Sequence, residues 1–415
     1  MSQITYVCVS YAYVDAGGLI KRKANVAGTK STITRHPARS ERSERESQDL
    51  PAAVQLLTPD GELTRGGEYG EYLDRLTDDD VRGMYTDMVV TRGFDAQATA
   101  LQRQGELGLW APCLGQEAAQ IGSAKALRPQ DYAFPGYRDH GVLQVRGVDL
   151  IDTLRHTRGV DHGGWNTRDH NTHLYTLVVG AQTLHATGYA MGVRLDGACG
   201  TGDPGQDEAV IVYFGDGATS EGDVSEALVF AGVNRAPLVF FCQNNQWAIS
   251  EPPSRQSAAP LYRRGEGFGV PGVRVDGNDV LACYAVTAAA LDAARAGDGP
   301  RFIEAYTYRM GAHTTSDDPS RYRDAALTDE WRARDPIDRL RKYLERQKLA
   351  DKDFFDGVDA AADALAARAR DAVRTMQPPP LEDFFDLVYA TPHPLVDEER
   401  AAWQGFEQMQ AGGAR

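Results

Sequence analysis

Cysteine is scarce: five residues (Cys8, Cys113, Cys199, Cys242 and Cys283) are scattered through 415, with no C-x-x-C pair. An odd, sparse set excludes a disulfide framework and points to reduced thiols, so a cytoplasmic location is expected. Long apolar runs are also missing. No stretch approaches the ~18 residues needed to cross a bilayer, so a membrane protein is not expected. Positive charge is outnumbered, with 44 Lys and Arg against 59 Asp and Glu and a net charge of −15. Binding a phosphate backbone needs a basic surface, so nucleic acid is not an expected partner. The G-x-x-x-x-G-K-[ST] pattern is absent, which argues against a P-loop nucleotide switch. Residues 1–20 lack the basic n-region and clean apolar segment of a secretory signal.

What is present is an ordinary globular composition, 42% hydrophobic and 25% charged. The first 50 residues stand apart. Eight basic residues precede position 46, opposed by Asp15, Glu41 and Glu44. Residues 35–49 have almost nothing apolar to bury, so residues 1–50 are expected to be a disordered basic arm. A nucleic-acid arm, a transit peptide and an upstream start codon are the alternatives; the acidic residues count against a transit peptide. An irregular lead-in is expected over 51–77, the main domain over 78–345 and a helical extension over 346–415.

From Asp78, apolar residues recur at helical spacing: Val81, Met84, Tyr85, Met88, Val89, Phe94 and Leu101. Further on, continuous apolar runs alternate with helix-like stretches. Strands are expected at 209–214, 236–242, 272–276 and 301–306, with helices at 220–234 and 280–295. Such runs alternating with helices predict an α/β fold with a mostly parallel sheet covered on both faces. A stripe from Val358 through Ala362, Leu365, Ala369 and Val373 to Met376 predicts a packing helix, stopped at Pro378-Pro-Pro380. The short apolar segment 384–389 follows, suited to docking on the same domain or on a partner.

Ligands of parallel sheets bind at the carboxyl ends of the strands. Two polar clusters fall there. One expected strand runs into Gly215-Asp-Gly217, and the next into Gln243-Asn-Asn245. A diphosphate needs its charge neutralised, and Mg²⁺ does so through near-octahedral oxygen coordination. Asp216 and Asn245 supply a carboxylate and an amide oxygen, and a backbone carbonyl can add a third. Gly215 and Gly217 allow close backbone approach. The helix that follows offers its amino end to phosphate.

The Gly-Asp-Gly and Asn-Asn pair at this spacing resembles the thiamine diphosphate-binding motif. Leu114-Gly-Gln-Glu-Ala118, Phe134-Pro-Gly-Tyr-Arg138, Tyr213-Phe-Gly-Asp-Gly-Ala218 and Asn244-Asn-Gln-Trp-Ala-Ile-Ser250 resemble the alpha subunit of 2-oxoacid dehydrogenase decarboxylase components. So do Val273-Arg-Val-Asp-Gly-Asn-Asp279 and the run from Thr307 to Asp318. The likeness extends over roughly 76–344. The Thr-Ser-Asp-Asp-Pro319 text is closer to branched-chain enzymes than to pyruvate enzymes; pyruvate dehydrogenase is the alternative.

This resemblance implies a thiamine diphosphate-binding fold, with thiamine diphosphate and Mg²⁺ as cofactors. It implies metal ligation by Asp216, Asn245 and the carbonyl of Trp247. Cofactor contacts are implied for Tyr137, Arg138, Val179, Gly215, Asp216, Gly217, Ala218, Asn245, Trp247, Ile249 and His313. His313 would be the catalytic residue of this chain, in a loop near phosphate and substrate. A beta subunit is implied, in an alpha2beta2 assembly, because each cofactor lies between two chains and a beta-subunit glutamate assists the aminopyrimidine. A lipoyl-bearing acyltransferase and a 2-oxoacid substrate complete the partners. A silent Mg-thiamine diphosphate-binding scaffold is the reading from another class.

Three positions and one segment depart from the family text. Gln243 stands where animal relatives have Arg, and Ala181 where some relatives have a potassium-binding Thr. Thr314 replaces the serine phosphorylated in animal enzymes, so kinase control is not implied. Residues 158–171 differ from the commoner glycine-rich loop. Other candidates are weaker. His170 and His173 have H-x-x-H spacing without a third ligand, and His170 reads as a loop residue. His162 and His185 are possible neighbours of the site. Trp110 suits either the core or the substrate pocket.

Overall fold

The structure is a computed structural model describing residues 53–413 apart from 161–163, 176, 381 and 387. The expected basic arm, Cys8 and His162 lie outside the described residues. Among those described, five strands form one parallel sheet in the order β1-β2-β3-β5-β4. They are β1 (Tyr132–Phe134), β2 (Val210–Gly215), β3 (Leu238–Asn244), β4 (Gly272–Asp276) and β5 (Arg301–Tyr306). β4 and β5 fall on their expected bounds. β2 and β3 begin and end slightly later than the apolar runs, so Gly215, Gln243 and Asn244 are still strand residues. β1 was not anticipated.

Alternation along the strands sends side chains to both faces. Ile211, Tyr213, Val239, Phe241 and Ile303 enter one buried cluster, with Met84, Ile121, Leu281 and Leu340. Val210, Val212, Phe214, Phe240 and Phe302 enter the other, with Ala186, Ala190, Val224 and Leu228. The first face is covered by α1 (Asp78–Arg103), α2 (Glu117–Lys125), α5 (Val280–Arg295) and α6 (Pro336–Arg346). The second is covered by α3 (Ala181–Leu195) and α4 (Gly222–Asn234). A covered sheet explains why these strands read as unbroken apolar runs.

Local chemistry fixes the helix starts. Thr77 and Asp80 form a reciprocal capping box at α1. Asp279 caps α5 through Leu281 N and Ala282 N, and its second oxygen accepts from Leu56 N and Leu57 N at 2.7 and 2.6 Å. That carboxylate therefore ties the lead-in segment to the sheet, where Val54 also bridges Val275. The long helix α7 (Lys352–Thr375) packs on α1 and buries Phe355, Val358, Ala362, Ala369 and Val373. It ends before the proline run, as expected. Segment 384–389 begins inside a short helix, Glu382–Asp386, and keeps Phe384 and Tyr389 exposed. No helix among the described residues is long and apolar enough to cross a membrane.

Cys113, Cys242 and Cys283 are buried, as apolar filler would be, and Cys199 is partly buried. His170 is not in a loop: it is the last residue of a four-residue helix, Thr167–His170, capped by Asn166. His173 packs beside Phe134 and His185, with ring centroids at 4.7 and 6.1 Å.

Candidate active site

β2 and β3 are adjacent and in register, pairing Gly215 with Gln243. Their carboxyl ends therefore open at the same level. A cavity of about 250 Å³ lies there. All the cofactor and metal candidates implied by the resemblance line it: Tyr137, Arg138, Val179, Gly215, Asp216, Gly217, Ala218, Asn245, Trp247, Ile249 and His313; the weaker candidates His170, His173, His185 and Trp110 do not.

The chain after β2 makes a short 3-10 turn, Asp216–Ser220, before α4 begins at Gly222. This turn carries Asp216 into the cavity wall, 2% exposed. Burial pushes its carboxyl up to about 6, opposed by a hydrogen bond from Gln256. Gly217 is required here, because a Cβ would stand 2.8 Å from the Cβ of Ala248. The amino ends of α3 and α4 face the same space through Gly180, Gln182 and Glu221. Both ends favour an anion.

After β3 the backbone is bent unusually. Gln246 and Ile249 have φ of 67° and 54°, a left-handed conformation that side chains disfavour. Hydrogen bonds hold it. Asn245 Nδ2 donates to Gln116 Oε1 at 3.0 Å, which fixes the amide and leaves Oδ1 as its acceptor end. Gln246 Nε2 donates to Thr307 O at 2.7 Å. Arg309 donates to Trp247 O and Ile249 O, both at 2.7 Å.

His313 lies between two guanidinium groups. Arg138 Nη2 is 3.2 Å and Arg309 Nη1 3.3 Å from His313 Nδ1. Arg138 also donates to His313 O at 2.9 Å and to Pro112 O at 2.5 Å. Guanidinium nitrogens only donate, so Nδ1 is the acceptor and the imidazole proton belongs on Nε2. Burial, then Arg138 and Arg309, push the His313 pKa down to about 4. Burial also lowers that of Arg309 to about 10, with help from Arg138. The ring is thus a neutral Nε2–H donor over the physiological range.

Gln243 spends its amide inside the wall. It donates to Asp139 Oδ1 and accepts from Gln120 Nε2 at 3.2 Å. Asp139 Oδ2 accepts Gly136 N, so this network holds the turn that presents Tyr137 and Arg138. Trp110 belongs to the core. It stacks on His140 at 4.4 Å and donates to buried Asp95 at 2.7 Å.

Sequence reading missed Arg309, Gln116, Gln182 and Gln256. Arg309 and Gln116 stood inside quoted motif text, but nothing local marked them as site residues. Three polar atoms on the cavity-lining residues Gln116 (Nε2), Gln182 (Oε1) and Trp247 (Nε1) are buried without a hydrogen-bond partner. Buried groups of this kind are costly unless something satisfies them. With a cation-seeking carboxylate, the Arg138 guanidinium and two helix amino ends, the lining fits a metal-bound anionic ligand.

The mouth of the cavity is apolar. Val178, Val179 and Ile249 line it and are 66%, 44% and 57% exposed; Leu177, next in the chain, is 61% exposed.

Comparison with known proteins agrees with this geometry. The family model described as "Dehydrogenase E1 component" matches residues 85–381. A 3-methyl-2-oxobutanoate dehydrogenase subunit alpha from Mycobacterium tuberculosis is 47% identical over 364 residues, 87% of this chain and 94% of the relative. A pyruvate dehydrogenase E1 component subunit alpha from Staphylococcus epidermidis is 37% identical over 347 residues, 83% of this chain and 90% of the relative. One of the same name from Staphylococcus aureus is 39% identical over 318 residues, covering 76% and 83%. Strand-end motifs, cavity and relatives converge, and the chain belongs to the dehydrogenase E1 component family.

Proposed function

We propose that this chain is the alpha subunit of a thiamine diphosphate-dependent dehydrogenase for branched-chain 2-oxoacids. With a beta subunit it decarboxylates the 2-oxoacid and passes the acyl group to a lipoyl group on an acyltransferase. What carries the reading is the convergence of Asp216, Asn245, Arg138 and His313 on one cavity at the ends of two adjacent parallel strands. The branched-chain assignment is supported by the higher identity to the 3-methyl-2-oxobutanoate enzyme, 47% against 37% and 39% for the pyruvate enzymes.

When bound, thiamine diphosphate supplies the nucleophilic thiazolium carbon and the electron sink for decarboxylation. This chain holds the diphosphate end. Asp216, Asn245 and the carbonyl of Trp247 offer the three hard oxygens for Mg²⁺. Tyr137 and Arg138 serve the diphosphate, where a guanidinium fork suits phosphate oxygens. Gly215, Gly217 and Ala218 keep the wall close, and Val179 and Ile249 cover the apolar side. His313 donates from Nε2 to phosphate or to charge developing on the substrate, with its tautomer held by Arg138 and Arg309. Burial raises the Asp216 carboxyl to about 6, and a bound cation would favour its ionised form.

The exposed apolar mouth supports a second chain closing the cavity, the place of the beta subunit. Co-expression with a candidate beta subunit, followed by decarboxylation assays over several 2-oxoacids, tests the proposal. Turnover of branched acids with thiamine diphosphate and Mg²⁺ is expected. No turnover of any acid would contradict the enzyme reading, and a strong preference for pyruvate would overturn only the branched-chain assignment.

A further inference from the structure

Asp216 shares its carboxylate. Gln256 Nε2 donates to Asp216 Oδ2 at 3.1 Å, reaching back across 40 residues of chain. This amide is not loose. Its Oε1 accepts the Ser220 hydroxyl at 3.4 Å, so Nε2 is the end turned to the carboxylate. The backbone oxygen of Gln256 accepts from Arg264 at 2.9 Å, and Arg264 also donates to Thr219 O in the turn that carries Asp216. The helix Pro253–Gln256 is therefore tied to the Gly-Asp-Gly turn from two directions.

A carboxylate oxygen has two acceptor sites, so an N–H bond to Oδ2 takes one of them and leaves Oδ1 the freer oxygen for a cation. Ligation through both oxygens at once is thereby disfavoured. Mg²⁺ demands near-octahedral geometry at ~2.0–2.1 Å and is served by one-oxygen ligands, whereas Ca²⁺ takes 6–8 oxygens at ~2.3–2.6 Å and often uses both oxygens of a carboxylate. We propose that Gln256 is a metal-selectivity residue: by engaging Oδ2 of Asp216 it disfavours ligation through both carboxylate oxygens and biases the site toward Mg²⁺ over Ca²⁺. The inference rests on the thiamine diphosphate reading above. It adds a positioning residue that acts through Asp216.

The test uses the assembled alpha–beta complex, stripped of metal, with excess thiamine diphosphate. Mg²⁺ and Ca²⁺ are titrated separately, and cofactor uptake is read by tryptophan fluorescence, Trp247 lying in the cavity wall. The ratio of the two half-saturating concentrations is the readout. General loosening of the loop moves both concentrations together and leaves the ratio alone. Wild type should favour Mg²⁺. Gln256→Leu should shift the ratio toward Ca²⁺ by about tenfold, the lower end of what partners of metal ligands contribute. Gln256→Glu, which keeps the shape but cannot donate when ionised, should shift it the same way, and it carries the test if the leucine variant does not assemble. An unchanged ratio in an assembled, cofactor-binding variant overturns the proposal. If wild type takes up no cofactor with either cation, the thiamine diphosphate reading falls and the selectivity role falls with it.

Discussion

His313 owes its state to two arginines, Arg138 from far away in sequence and Arg309 from four residues upstream. Arg138 and Arg309 both aim donors at Nδ1, and burial adds to the penalty on its charged form. Its folded pKa lies below the ordinary 6.5, so the contribution of the neutral ring to loop stability is complete above about pH 6.5. It is lost as pH falls toward 4. In the assembled enzyme, no acid limb from His313 should appear near 6.5; it should fall below pH 5. Arg309→Gln removes one cation and should move that limb upward in the pH dependence of kcat/KM. A limb near 6.5 in wild type, unmoved in the variant, would contradict this placement. The sequence made His313, Asp216 and Asn245 legible because each follows a strand end in polar text, beside glycine for Asp216 and His313 and within an Asn pair for Asn245. Arg309 was not legible as a site residue, since an arginine pinning carbonyls 60 and 62 residues away has no local signature.

Between elements, one buried carboxylate organises the approach to the site. Asp95 on α1 accepts Trp110 Nε1 at 2.7 Å and Cys113 N at 3.0 Å. The segment it holds in turn accepts Arg138 at Pro112 O and Thr315 N at Trp110 O. Asp95→Asn keeps the shape but turns one acceptor into a donor facing another donor. It should destabilise the fold by about 1–3 kcal/mol, seen as a lower Tm, because a buried group is left unsatisfied. An unchanged Tm would count against this linkage. The covered parallel sheet was readable because β2 and β3 are unbroken apolar runs and α5 has a clear aspartate cap. β1 was not, since three residues show no periodicity. It exists through pairing with β2, helped by Asp131 Oδ1, which accepts Ala209 N at 3.0 Å.

For the whole molecule, the net charge of −15 conceals an uneven distribution. Residues 1–45 carry eight basic and three acidic residues, leaving 36 basic against 56 acidic in the rest. We propose that the arm is dispensable: deleting residues 1–50 should leave assembly and activity intact, and a lost complex would show otherwise. The apolar mouth makes a complementary prediction. Leu177 is 61% exposed and adjoins the cavity-lining Val178, so Leu177→Glu should leave the stability of the isolated chain within about 0.5 kcal/mol of wild type while weakening assembly with the beta subunit in analytical ultracentrifugation. Unchanged assembly would place the partner elsewhere. Overall acidity never pointed to an anionic ligand. That ligand is handled locally, by a buried carboxylate that seeks a metal and by the guanidinium of Arg138. The most direct measurement is therefore thiamine diphosphate affinity by calorimetry in the assembled complex with Mg²⁺, comparing wild type with Asp216→Ala. The metal site predicts a loss of about 100-fold or more, at or beyond the upper end of what second-layer contacts contribute. Equal affinity in an assembled Asp216→Ala complex would contradict it.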